Sequence, residues 1–370
     1  MTLHVHSPNP NAFVRFMRKV YNPIGFKKGY NFTLFFIFAG ALLGFILARL
    51  SYLDVNGRFK AGASPGEWFW YSKRFYRIGI TMHLCCVLPA GLLAILQFVP
   101  IIRYKLLIFH RINGYLATLL LIMGNVGALM IARHAFGGTL STQSAVGTLA
   151  ILTTTSLVLA IYNIKRLQIE QHRAWMLRTW FYAGSIITLR LIQVLAALVI
   201  SSSSYYQVVR CGKIAFTSGQ STADTYAACQ ADPTYGLAAV HADLSTPKSG
   251  IEAGVALELS FGMAIWLALF LHAIAIEIYL RLTPAEFERL RKVSYERQME
   301  RGFKHPGSAG LTVDRLGDAE PWIPPTISEG KLGVIETVDQ GEMTLKVPLA
   351  QDISRDVSAS DLSRPASVMR

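Results

Sequence analysis

Residues Ile78 to Ile101 read IGITMHLCCVLPAGLLAILQFVPI, with no charged side chain among them. A bilayer's hydrocarbon layer is about 30 Å thick and takes ~20 apolar residues of helix to cross. This stretch satisfies that length. Working outward, five more runs do so: Asn31 to Leu50, Ile112 to Ala132, Ser144 to Ile164, Thr179 to Ile200 and Val255 to Leu280. The first lies far from Met1 and follows Pro8, Pro10, Arg15, Arg18 and Lys19, so it is expected to be a true span rather than a secretory signal. Its Gly40-Ala-Leu-Leu-Gly44 could support close helix contact or be a coincidence of small residues.

Composition agrees. The chain of 370 residues is 52% hydrophobic and 16% charged, where a soluble domain carries about 25% charge. Wholesale disorder is excluded by the apolar content, and four cysteines are too few for a disulfide scaffold. The expected fold class is therefore an all-α integral membrane protein, a bundle of six transmembrane helices. The net charge of +13 sits between and after the apolar runs. That distribution suits loops at an anionic lipid bilayer and argues against a nucleic-acid partner.

Lys and Arg counts give the orientation. With the N-terminus inside, the inner segments hold Arg15, Arg18, Lys19, Lys27 and Lys28, then Arg103, Lys105 and Arg111, then Lys165, Arg166, Arg173 and Arg178, and seven more from Arg281 to Lys304. The misfit is the first outer loop, with Arg58, Lys60, Lys73, Arg74 and Arg77. The balance predicts a multi-pass protein with both termini cytosolic. The domain plan is then a cytosolic segment 1–30, a membrane domain 31–280 with an extracytosolic loop 202–254, a cytosolic helix 283–302 and a mostly disordered tail 303–370. A capping box at Thr283-Pro-Ala-Glu286 is expected to open that helix. A short hairpin could form around Val334 to Val347. Cys211 and Cys229 fall in the loop placed outside, where an oxidising compartment would let them pair. Cys85 and Cys86 read as small apolar fillers inside the second span.

Polar side chains in a membrane core are costly and mark functional candidates. Spans one to five, as bounded above, hold no Asp or Glu but do hold Arg190. A buried guanidinium stays charged, so Arg190 must snorkel, meet backbone oxygens, or face a bound group such as a propionate, a quinone oxygen or an acidic substrate. The nearest candidate carboxylates are Glu258 and Glu277. Four histidines fall in two layers: His83 and His134 toward the outer face, His110 and His172 toward the inner one. Facing imidazoles are what a b-type haem needs as axial ligands. Interface histidines also simply hydrogen-bond water or carbonyls. His172 and Arg190 are five helical turns apart and share a face. Gln97 and Asn125 extend a polar seam that interhelical hydrogen bonding would equally explain.

The run His83, Gln97-Phe98-Val99-Pro100, Arg103, His110-Arg-Ile-Asn-Gly-Tyr115, His134-Ala-Phe-Gly-Gly138, His172-Arg-Ala-Trp-Met-Leu-Arg178 and Thr188-Leu-Arg190 resembles the "domain of unknown function 2306" family of predicted membrane proteins. The likeness covers about Met82 to Leu198 and implies a membrane core over 82–198. More loosely, the layout is similar to six-helix cytochrome b reductases that hold two haems. Here the fourth span offers Thr153, Thr154 and Thr155 in place of a histidine. Arg103, Arg111, Arg173, Arg178, Trp175 and Trp180 would also serve as interface anchors.

These readings lead to a membrane-embedded oxidoreductase, expected to be a haem-binding electron-transport protein. His110 and His172 would be the metal ligands of haem b, with His83 and His134 as a second pair. Arg111, Arg173 and Arg178 would meet propionates, and Arg190 would be the catalytic group toward a lipophilic or quinone-like small molecule. The alternative is a cofactor-free membrane enzyme or accessory factor acting on a lipophilic metabolite in biosynthesis. A transporter or structural subunit is a third class; broken spans or repeat symmetry would favour transport, and neither is visible in the sequence.

Overall fold

The structure, a computed structural model, describes residues 11–324. It is all-α apart from one two-stranded ribbon, and six of its helices are long and apolar enough to cross a membrane. In chain order the elements used below are α1 (Ala12–Tyr21), α2 (Gly29–Arg49), α3 (Glu67–Tyr71), α4 (Arg74–Phe98), α5 (Leu107–Ile131), α6 (Leu140–Lys165), α7 (Ile169–Ile200), β1 (Tyr206–Arg210), α8 (Cys211–Ser218), β2 (Leu237–His241), α9 (Gly250–Arg281) and α10 (Pro284–Glu300). The spans are α2, α4, α5, α6, α7 and α9.

Packing runs α4 on α5, α6 on α7 and α7 on α9, with α2 outside the bundle against α4. Ile46 is the buried side chain of α2. Gly40 and Gly44 have open space beside them, so this pair makes no close helix contact among the described residues. Close approach occurs instead at α4 and α5, where a Cβ on Gly127 would lie 2.6 Å from the His83 backbone nitrogen. There a bare glycine replaces side-chain packing with backbone contact.

At one end of the bundle the stretch after α7 is a compact cap. Strands β1 and β2 pair antiparallel from Tyr206↔His241 to Arg210↔Leu237. Cys211 and Cys229 are disulfide-bonded. Val209, Ile214, Val240, Ile251 and Val255 form a core around that bond. Residues 202–254 are thus a folded cap rather than an open loop. Two of the basic residues of the preceding 50–77 segment, the misfit in the charge count, have local partners. The Lys73 ammonium lies 4.4 Å over the Trp70 ring, and Arg77 donates to Ser72 O at 2.8 Å.

At the opposite, tail end, α10 begins at Pro284, yet the expected capping box does not form. The Thr283 hydroxyl donates backward to Tyr279 O at 2.9 Å, closing α9 rather than opening α10, and Glu286 pairs with Arg289. Residues 303–322, the first part of the stretch expected to be mostly disordered, are packed. Gln168 Oε1 accepts from Gly310 N at 3.1 Å and from Gln298 Nε2 at 2.9 Å. Gln298 Oε1 accepts from Gly307 N at 2.7 Å, and Asn163 Oδ1 accepts from Leu311 N at 2.9 Å. Amide side chains can fix an irregular backbone this way because each offers both a donor and an acceptor. The remaining tail, with the expected hairpin at Val334 to Val347, lies outside the described residues.

Candidate functional site

The site lies where α7 and α9 meet the cap. Because α7 starts ten residues before the apolar run that announced it, Arg190 stands in its cap-side half rather than at its middle. The guanidinium meets no backbone oxygen among the described residues. It forms no ion pair among the described residues. Nη1 donates to Gln193 Oε1 at 2.9 Å, and Gln193 Nε2 in turn donates to Leu257 O of α9 at 3.0 Å. Nε is shut from solvent without an acceptor. Its other contacts are aromatic: the cation lies 4.5 Å from the centroid of Phe136 and 5.6 Å from that of Phe261. Those rings stack on each other at 4.3 Å, 2° from parallel. Cation–π attraction offsets only part of the cost of removing a guanidinium from water.

Phe136 reaches this position through an unusual turn. Between α5 and α6 the chain bends at His134-Ala-Phe-Gly-Gly138, with Phe136 at φ 47°, Gly137 at 76° and Gly138 at 58°. Left-handed backbone is cheap for glycine but costs a phenylalanine of order 1–3 kcal/mol, so surrounding contacts must hold it. One contact is explicit. Phe136 N donates to Glu67 Oε1 at 2.9 Å, and Tyr71 Oη donates to Glu67 Oε2 at 2.9 Å. Glu67 is 3% exposed and Tyr71 equally buried. Burial foremost, and then the nearby Glu258 carboxylate, push the Glu67 carboxyl up to about 8, against a smaller opposing pull from Lys213. Burial and Glu67 push the Tyr71 phenol well above its ordinary value.

The second carboxylate is already paired. Lys213 of α8, two residues after the bonded Cys211, reaches from the cap to Glu258 Oε1 at 2.5 Å, and Gln207 of β1 donates to Oε2 at 3.3 Å. Arg49 at the end of α2 is an electrostatic neighbour of Arg190 and donates to Tyr52 Oη at 3.2 Å. The centre therefore gathers three cations and two carboxylates from four spans or their flanks and from the cap. Such a set can hold an anionic or carbonyl oxygen and exchange a proton with it.

The histidines divide differently from the expected two layers. His110 and His172 are each the fourth residue of their helix, α5 and α7, at matching tail-side depth. His172 Nδ1 lies 2.9 Å from Ala160 O, and His110 Nδ1 is enclosed with no partner. His83 and His134 are not brought together. His83 Nδ1 is 2.9 Å from Gly124 O, well inside the α4–α5 contact. His134 lies beyond α5, stacked on Trp70 at 3.7 Å with Tyr76 edge-on at 4.7 Å. Burial and neighbouring cations, Arg133 and Lys73 among them, push the His134 imidazole down to about 4. His272 uses both ring nitrogens, toward Phe181 O and Thr188 Oγ1.

Of the expected propionate partners, Arg178 is held by Glu277 through two hydrogen bonds, at 2.6 and 3.0 Å, and Arg173 donates to Tyr279 Oη at 3.2 Å. Arg111 makes no hydrogen bond or ion pair with another described residue. The polar seam resolves into helix-to-helix bonds: Asn125 Nδ2 donates to Thr153 and Thr154 Oγ1, and Gln97 Nε2 donates to His110 O. Sequence reasoning missed Glu67, Tyr71 and Lys213. A signal was available in Glu67, a lone acid heading the aromatic run Glu67-Trp-Phe-Trp-Tyr71.

The chain is similar to "Ava biosynthesis cluster protein G" of Aspergillus versicolor, at 26% identity over 323 residues, covering 73% of this chain and 94% of that protein. No solved structure matches it. Residues 80–217, which carry the α4 to α7 core, Arg190 and the Phe136 turn, match the family model described as "Predicted membrane protein (DUF2306)".

Proposed function

We propose that the chain is a membrane-embedded biosynthetic enzyme that moves a proton on a lipophilic metabolite, with Arg190, Glu67 and Tyr71 as its reacting groups. One observation carries the reading. Phe136 joins an unpaired guanidinium to a buried carboxyl, its ring lying under Arg190 and its N–H bonded to Glu67. A carboxyl pushed up to about 8 exchanges protons readily near neutrality. A fixed cation beside it stabilises negative charge developing on oxygen. No redox partner is required. The relative's description as a biosynthesis cluster protein supports a metabolic role. The cap would face outside and both termini the cytosol, as the basic residues suggest.

The test is metabolite profiling in a host that supplies the native intermediates. A proton shift without redox chemistry yields a product of unchanged mass. That product should appear with the wild-type chain and fall at least tenfold with Arg190→Gln, Glu67→Gln or Tyr71→Phe. Identical profiles with variants that remain folded would overturn the reading.

A second reading, haem-dependent oxidoreduction, is favoured by His110 and His172. An imidazole whose Nδ1–H is tied to a carbonyl, as geometry allows at His172, presents Nε2 to a metal. The enclosed, unpartnered His110 Nδ1 is a polar group in want of a neighbour. These two residues would hold the group and Arg111 would face a propionate; bound haem would supply one-electron transfer. Absorption spectra of protein expressed with ample haem decide it. Sharp reduced bands that vanish in His110→Ala would support it, and a colourless folded protein would overturn it.

A further inference from the structure

The edge of Arg190 that remains free identifies what the site receives. Nη1 is committed to Gln193, and no described acceptor meets Nε or Nη2. Those two nitrogens form the side of a guanidinium that takes two oxygens of one group in parallel hydrogen bonds. We infer that the site binds an apolar molecule as its anion, through two neighbouring oxygens of a carboxylate or a β-dicarbonyl enolate set on the Nε–Nη2 edge of Arg190. This deepens, and rests on, the proton-transfer reading.

Charge and shape agree with that assignment. Two cations, Arg190 and Lys213, lie beside two carboxylates, Glu67 and Glu258, and Arg49 adds a third positive charge next to Arg190. Glu258 is consumed by Lys213. Glu67 spends its oxygens on Phe136 N–H and the Tyr71 hydroxyl, and makes no hydrogen bond to Arg190. Positive charge therefore exceeds negative even with both acids ionised, and a guanidinium whose Nε is shut from solvent without an acceptor favours an anionic partner. The floor beside the guanidinium is the stacked Phe136–Phe261 pair, which offers an apolar body nothing to hydrogen-bond. A neutral ketone would answer neither the spare charge nor the second donor.

Ligand binding is then linked to protons. Glu67 is faced by Tyr71 of its own helix, the Phe136 amide, Glu258 of α9, Lys213 of α8 and Arg190 of α7. An ionised Glu67 would repel an incoming anion, so affinity falls as pH rises past about 8, where Glu67 loses its proton.

The full chain in phosphatidylcholine nanodiscs tests this, with cis-parinaric acid as a fluorescent lipophilic carboxylate. Binding should saturate, and oleate should displace the probe while methyl oleate does not. Arg190→Lys, which keeps the charge but loses the two-nitrogen edge, should weaken binding at least tenfold. Glu67→Gln should bind and lose the fall in affinity at high pH. Equal displacement by methyl oleate overturns the inference without the use of any variant. Equal displacement by phosphatidate makes the site a headgroup seat and overturns it too. Turnover that needs Arg190 in a protein with no probe binding overturns the ligand class and leaves the enzyme reading standing. Binding with no turnover does the reverse.

Discussion

The Phe136 N–H donates to Glu67 Oε1 at 2.9 Å across 69 residues of sequence, tying a left-handed turn to a short helix outside the bundle. The turn holds the Phe136 ring under Arg190, and the acid holds the turn. Position and protonation in this centre are thereby coupled: an alteration that releases the turn removes an N–H from Glu67 and an aromatic face from Arg190 together.

Gly138 should be the sensitive point of that turn. It sits at φ 58°, and an added Cβ would strike the carbonyl of Arg133. Gly138→Ala should destabilise the protein by about 1–3 kcal/mol. The thermal midpoint of purified protein in one detergent checks this; a variant that melts with wild type would show the turn to be replaceable.

Glu67 gives stability a pH dependence. Its ordinary value is 4.5 and its folded value about 8, so between these the folded state holds a proton that the unfolded state has released. The unfolded state binds fewer protons in that window, and stability falls as pH rises through it. Above about 8 the dependence levels off. Denaturation from pH 5 to 8 should show the decline in wild type and lose most of it in Glu67→Gln. A slope unchanged by the substitution would assign it to other groups.

His134 acts with the opposite sign. The folded imidazole is pushed down from 6.5 to about 4, so between those values the unfolded state holds the extra proton. Stability contributed here is full above 6.5 and is lost as pH falls toward 4. His134→Phe keeps a flat ring for Trp70 at 3.7 Å and removes the titration. The variant should resist acid better than wild type, with little change at pH 7.5.

The six spans were legible because hydrocarbon thickness imposes a run of apolar residues that survives any detail of packing. The Cys211–Cys229 pairing was legible too, since only these two cysteines lie outside the apolar runs. The centre was not. Arg190 announced itself as a charge in a span, but the titratable groups gathered near it sit in short pieces: Glu67 in a five-residue helix and Lys213 in the cap. Their apposition is set by tertiary contact alone. The capping box at Thr283 failed for a related reason, as one hydroxyl was claimed by the helix before it.

The disulfide should matter to the cap as a unit. It closes a loop with a sequence separation of 18 and lies in the core with Ile214 and Val240. Loop entropy predicts about 3 kcal/mol for such a closure. Cys211→Ala with Cys229→Ala should lower the melting midpoint and weaken Lys213's hold on Glu258. Unreduced peptide mass spectrometry of protein from native membranes should give the linked pair; two alkylatable thiols would refute it.

The tail-side knot should decide when the 303–322 segment is released. Gln168 accepts hydrogen bonds from Gly310 N and Gln298, and donates to Gly307 O at 2.9 Å and to Glu170 Oε1 at 2.6 Å. It is fully buried, so Gln168→Ala leaves the Gly310 N–H, the Gly307 carbonyl and one Glu170 oxygen without their partner in a closed space. Each such loss costs about 1–3 kcal/mol, more than a peptide of this length gains from docking loosely. Limited proteolysis should therefore cut between Arg301 and Trp322 faster in the variant, by at least tenfold, while the membrane core stays intact. Gln168→Glu is the sharper comparison: it keeps the size and an acceptor for Gly310 N, but sets a second carboxylate against Glu170. Equal cutting of wild type and both variants would mean that the segment is held elsewhere, and that Asn163 and Gln298 suffice to dock it.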